Sequence, residues 1–115
     1  MTVTIYHNPR CSKSRETLEL IRGRGIEPEI VLYLETPPDA DTLDHLLNLM
    51  GREPREAMRT KEAPYKALGL SDPGTTREAL LAAMVNHPVL IERPIVVNGD
   101  KAALGRPPEA VLAIL

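Results

Sequence analysis

The stretch Tyr6-His7-Asn8-Pro9-Arg10-Cys11-Ser12-Lys13-Ser14-Arg15 decides the reading of this chain. It follows a short apolar run, Val3-Thr4-Ile5, and opens onto Thr17-Leu18-Leu20-Ile21, which has helical spacing. A strand that passes through a proline-containing turn into a helix puts Cys11 at or near the helix N-terminus. The first backbone N–H groups of a helix have no intrahelical partner, and the macrodipole is positive there. Such an end favours a thiolate over a thiol, and the thiolate is the reactive form. Arg15 follows four residues later, one turn along the same helix face. Arg10 and Lys13 add positive charge nearby, and Ser12 and Ser14 add hydroxyl donors. A free cysteine in a soluble protein is commonly a small buried hydrophobe. These polar neighbours do not suit an apolar core; they suit a small oxyanion substrate.

Working outward, Gly23 and Gly25 stop the first helix, a usual glycine role at helix ends. Glu29-Ile30-Val31-Leu32-Tyr33-Leu34 then reads as a strand, and its near-continuous apolar run predicts cover on both faces. The β-α-β pattern spans about 30 residues, the size of a parallel unit with a right-handed crossover. Pro37-Pro38-Asp39 breaks the chain, and Asp39 or Asp41 can cap a helix carrying Leu43, Leu46, Leu47 and Met50. Gly51 ends that helix, and Pro54, Pro64 and Gly69 cut the following segment into short helical turns. Leu70 to Gly74 reads as a loop, and Thr75-x-x-Glu78 as a capping box opening a helix with Leu80, Leu81, Met84 and Val85. Pro94-Ile95-Val96-Val97 and Lys101-Ala102-Ala103-Leu104 flank Asn98-Gly99-Asp100, a strong hairpin signal. A last helix begins around Gly105-Arg106-Pro107-Pro108-Glu109 and carries Val111, Leu112, Ile114 and Leu115. The expectation is one α/β domain over residues 1–115: a thioredoxin-like plan with a mixed four-stranded sheet and a helical insertion between the β-α-β and β-β-α halves.

Composition narrows the function. The 115 residues argue for a single core. Fourteen basic against 16 acidic side chains leave a net charge of −2, which offers no global field for nucleic acid. With no Phe or Trp and three Tyr, a base-stacking platform is poorly supplied. No apolar run approaches the roughly 20 residues of a membrane span, no signal peptide is expected, and the cytoplasm is the default location. His7, His45 and His87 show no metal-ligand spacing with the cysteine, so no metal is expected. A lone cysteine forms no internal disulfide, and position 14 is Ser rather than a second Cys. Any adduct on Cys11 must therefore be cleared by an external thiol.

Tyr6-His7-Asn8-Pro9-x-Cys11-x-x-Ser14-Arg15 resembles the nucleophile loop of the glutaredoxin-coupled arsenate reductases, the ArsC-like family. Glu62-x-Pro64-Tyr65, His87-Pro88, Arg93-Pro94-Ile95-Val96 and Arg106-Pro107 continue the match in order, over essentially the whole chain. The resemblance implies a thioredoxin-like fold with a helical insertion. It implies that Cys11 attacks arsenate, that glutathione, a co-substrate rather than a bound cofactor, joins the thiol-bound arsenic, and that glutaredoxin resolves the adduct. It matches Arg59, Arg93 and Arg106 to the arginines that hold the oxyanion and His7 to the family's histidine, and it places Ser14 and Arg15 in the loop beside the nucleophile. Pro94 corresponds by resemblance to the cis-proline opposite the active cysteine of thioredoxin-like folds. Two features depart from the better-known members: those extend beyond the position of Leu115, and many have a small residue where Arg10 stands.

Physical chemistry gives three arginines a purpose. A thiolate approaching an anion meets a repulsion of about 4 kcal/mol per unit pair at 4 Å and an effective dielectric near 20. Guanidinium forks offset that repulsion and hold tetrahedral oxyanions by paired hydrogen bonds, which lysine does less well. Two other readings stay open. Spx-type regulators share this fold, although their usual switch is a Cys-x-x-Cys pair, and a monothiol glutathione-dependent oxidoreductase would act on another substrate.

Overall fold

The computed structural model describes residues 2–115. The chain packs as two compact units, one formed by the segment up to Thr36 together with Arg93–Leu115, the other by Pro37–Glu92.

The first unit is built on a mixed four-stranded sheet in the order β2-β1-β3-β4. Strand β1 (Val3–His7) leads into helix α1 (Ser12–Gly23), which returns the chain to β2 (Glu29–Leu32), parallel to β1 with Ile5 opposite Ile30 and His7 opposite Leu32. Strand β3 (Ile95–Asn98) runs antiparallel to β1, and β4 (Lys101–Leu104) antiparallel to β3. Val3 and Ile5 point to one face of β1, where they meet Leu18 and Ile21 of α1, Val96 of β3, and Val111 of a terminal 3₁₀ helix, Pro108–Ile114. Ile5, Ile21, Val96 and Val111 are fully buried, each contributing about 1.5–3 kcal/mol of hydrophobic transfer. This is the thioredoxin-like arrangement expected from the sequence.

Three local expectations differ. Strand β2 is an edge strand: Ile30 and Leu32 are each 37 % exposed and Leu34 46 %, so the apolar run is not covered on both faces. An apolar run records suitability for a sheet but not how many neighbours the strand acquires. The strand also ends at Leu32, where the N–H groups of Glu35 and Thr36 turn back to the Leu32 carbonyl. In the hairpin, Asn98 pairs with Lys101 and remains in the strand, so the loop is Gly99-Asp100, with Gly99 at φ +64°. A glycine at positive φ in the first loop position is the type II′ pattern. The Asn98 side chain donates to the Ile114 carbonyl at 2.7 Å, tying the hairpin to the last helix. Finally, the helix expected to open with Thr75 is capped by Thr76 and begins at Arg77.

The second unit is helical: α2 (Ala40–Met50), a 3₁₀ turn Pro54–Ala57, α3 (Ala63–Ala67), α4 (Arg77–Asn86) and a 3₁₀ turn Pro88–Leu90. Asp39 caps α2 by accepting from the Thr42 N–H at 2.7 Å, and Gly51 closes it at φ +66°. Thr76, not Thr75, caps α4 by accepting from the Ala79 N–H at 3.1 Å, and the Thr75 N–H is committed to the Asp72 carbonyl of the preceding turn, which leaves Glu78 no donor for the reciprocal arm of the expected capping box. The capping box lies instead at Glu53 and Glu56. Leu43, Leu46 and Leu47 of α2 and Leu80, Leu81 and Met84 of α4 form the buried faces of two packed helices. Arg77 reinforces that contact through Asp44 at 2.7 Å and Asn48 at 3.2 Å. Among the described residues, no helix is long and apolar enough to cross a membrane.

Candidate active site at the start of the first helix

Cys11 occupies the N-cap of α1 with extended backbone angles, φ −95° and ψ 122°. The loop that delivers it is organised by Asn8. The Asn8 carbonyl accepts from the Cys11 N–H, and its side-chain oxygen accepts from the Arg10 N–H, each at 3.0 Å. The Asn8 N–H in turn donates to Ser14 Oγ at 3.0 Å, and the same hydroxyl lies 2.6 Å from His7 Nδ1. Ser14 is fully buried and His7 5 % exposed, so this cluster forms the floor of the loop. Arg15 braces the loop from outside, donating from Nη1 to the Pro9 carbonyl at 2.9 Å.

Cys11 is 8 % exposed. Burial is the largest single influence on its thiol and would raise the pKa. It is outweighed, in order, by the Ser14 N–H, the charge of Arg93, the Lys13 N–H and a hydrogen bond from the Arg93 side chain, so the thiol is held below its ordinary value. The sulfur closes no capping bond of its own, yet the amides at the second and third helical positions act on it. The first turn carries no acidic residue to oppose them. Lys13 contributes through its backbone, while its ammonium group lies 3.7 Å from Glu16. His7 is pushed below its ordinary value, first by burial and then by the positive charges of Arg22 and Arg15, and is a neutral imidazole at neutral pH.

Arg93 reaches the sulfur from the loop preceding β3. The Arg93–Pro94 bond is cis, as the resemblance implies, and Arg106–Pro107 is a second cis bond. Arg106 Nη1 donates to the Arg93 carbonyl at 3.1 Å, which couples one predicted oxyanion arginine to the backbone of another. The fold thus brings His7, Cys11, Ser14, Arg15, Arg93 and Arg106 into one unit. Arg59 belongs to the second unit, where its N–H donates to the Leu90 carbonyl and its guanidinium pairs with Glu62 at 2.7 Å.

Sequence reasoning missed two supporting residues. Thr17 is fully buried on α1 and donates to the Lys13 carbonyl at 2.7 Å. Gly105 donates its N–H to the Pro94 carbonyl at 2.9 Å. A glycine ending a strand immediately before Arg-Pro was the available signal for close backbone approach. Two openings flank the loop, about 860 and 320 Å³; both touch His7 and Pro9, and neither has Cys11 in its wall. No group of three His, Cys, Asp or Glu side chains converges as metal ligands among the described residues.

The ArsC family model matches residues 6–114. The chain is 60 % identical over 114 residues to the uncharacterized protein YfgD of Escherichia coli K12, covering 98 % of this chain and 96 % of that one. It is 50 % identical over 114 residues to an arsenate reductase of Neisseria meningitidis serogroup A, covering 98 % and 97 %. The solved structure of an arsenate reductase from Vibrio cholerae superposes with a TM-score of 0.96 at 54 % identity, over 100 % of this chain and 98 % of that one.

Proposed function

The chain belongs to the ArsC family, and from that premise we propose that it reduces arsenate to arsenite through a thiolate at Cys11. The observation that carries this reading is the sulfur itself: buried, yet drawn toward its anionic form by two helix amides and by Arg93.

In the proposed reaction the Cys11 thiolate attacks arsenic and displaces one oxygen, which leaves as water after taking up protons. Glutathione replaces a further oxygen on arsenic. The two sulfurs then couple as a disulfide, the electron pair passes to arsenic, and arsenite leaves. Glutaredoxin removes the glutathione held on Cys11 and restores the thiolate, because the chain has no second cysteine to do so. Arg93 lowers the cost of bringing a thiolate to an anion, and Arg106, with its fork beside the Arg93 backbone, is assigned to the oxyanion. Arg59 is assigned the same ligand role by its match to the family motif. Ser14 contributes its amide to the sulfur and its hydroxyl to His7, while His7 serves the loop as a neutral ring and Arg15 as its outer brace.

The test combines turnover with labelling. Cys11→Ser abolishes glutathione-dependent arsenite formation, and arsenate or phosphate slows alkylation of Cys11 in the native protein. Undiminished turnover in the Ser variant excludes the mechanism. Alkylation indifferent to both anions favours a monothiol oxidoreductase with another substrate.

A further inference from the structure

We propose that Glu62 is a resident counter-anion for Arg59, which a bound oxyanion must displace, so that Glu62 sets the affinity of that arginine for anions. The proposal rests on the reading of Arg59 as an oxyanion ligand. Glu62 Oε1 lies 2.7 Å from Arg59 Nη1, and the two side chains are 29 % and 32 % exposed. The pair is therefore partly withdrawn from the water and salt that screen surface charges.

The position of Glu62 makes this contact informative. Glu62 is the N-cap of α3, where an acidic side chain could accept from the helix amides, yet it makes no capping bond and reaches back to Arg59. The backbone holds both partners in register. The Glu62 N–H donates to the Arg59 carbonyl at 3.2 Å, and the Arg59 N–H donates to the Leu90 carbonyl at 2.7 Å. A guanidinium receives a carboxylate and the edge of a tetrahedral oxyanion through the same N–H groups. The Arg59 Nη1 that an oxyanion would use already has an anion against it.

Inorganic phosphate, which this chemistry does not reduce, is the probe, read by equilibrium dialysis on the full chain. Glu62→Gln binds phosphate about threefold tighter, the size of an ion pair of this exposure. Arg59→Gln binds it more weakly, and adding Glu62→Gln to that variant changes nothing further, because the pair acts as one unit. Glu62→Asp keeps the charge but withdraws it by one methylene; it tightens binding less, and decides the matter if the Gln variant fails to fold. Unchanged or weaker phosphate binding in Glu62→Gln overturns the proposal, the weaker result meaning that Glu62 orients Arg59 instead of competing for it. Wild-type protein that binds neither phosphate nor arsenate is a failure of the underlying reading of the site, distinguishable because it precedes any effect of Glu62.

Discussion

Gly105 lies so close to Thr17 that a Cβ at position 105 would sit 2.6 Å from the Thr17 hydroxyl oxygen. The same Cβ would be 2.7 Å from Pro94 Cγ, and both neighbours are buried. Bare backbone at this position lets the end of β4 pass between α1 and the proline that follows Arg93. Gly105→Ala forces Thr17 or Pro94 aside and costs about 1–3 kcal/mol, the usual range for overpacking. It also slows alkylation of Cys11, because moving Pro94 moves Arg93. Chemical denaturation and iodoacetamide kinetics on the one variant check both effects; native stability with native reactivity would refute the close approach.

Arg93 and Arg106 differ in how they bear on the sulfur. Arg93 acts on it by charge and by hydrogen bond, whereas Arg106 donates to the Arg93 carbonyl and is not among the groups that shift the thiol. Arg93→Gln therefore moves the pH profile of Cys11 alkylation to higher pH and slows the reaction at neutral pH about tenfold, the lower end of what a lost hydrogen bond to a charged group costs. Arg93→Lys restores part of the loss through its charge, and Arg106→Ala shifts the profile less than Arg93→Gln. An unmoved midpoint in Arg93→Gln would remove this arginine from the account of the thiolate.

The two shifted groups of the site also predict how stability follows pH. The folded chain resists protonating His7, whose value lies below the ordinary 6.5, while the unfolded chain takes up that proton freely. Between these values the unfolded state binds more protons, so stability falls as pH drops below about 6.5. Cys11 has the same sign at higher pH: the folded thiol ionises below the ordinary 9.0, so the reduced protein gains stability as pH rises toward that value. Denaturant midpoints from pH 5 to 7.5 for the native protein and His7→Gln check the first statement. The variant lacks the acid-side slope; parallel curves would contradict the buried neutral ring.

Much of the first unit was legible because its signals are local. Cys11 had to meet the start of α1, since Val3–Ile5 reads as a strand, Pro9 breaks it and Thr17–Ile21 carries a helical period. Asp39 and Gly51 marked the ends of α2 for the same reason: a cap and a left-handed terminus are properties of a few consecutive residues. Signals that depend on partners failed. Nothing in Ile30–Leu34 tells an edge strand from an interior one, and Thr75 and Thr76 compete for one cap until the Asp72 turn claims the N–H that a capping box at Thr75 needs.

The sequence by itself determined that one sulfur sits at the positive end of a helix, that no internal thiol can resolve it, and that arginines precede prolines at two later element boundaries. These follow from periodicity, turn chemistry and counting, which need no knowledge of distant neighbours. The tertiary structure alone decided that Arg93, some 80 residues along the chain, is the side chain that acts on Cys11. It also decided that Gly105 must lack a side chain, and that Ser14, within the same loop, joins the sulfur to His7. The Arg93 and Gly105 contacts depend on which strand pairs with β1 and how closely two backbones approach, and hydrogen-bond ladders and packing settle that only when the whole sheet is assembled.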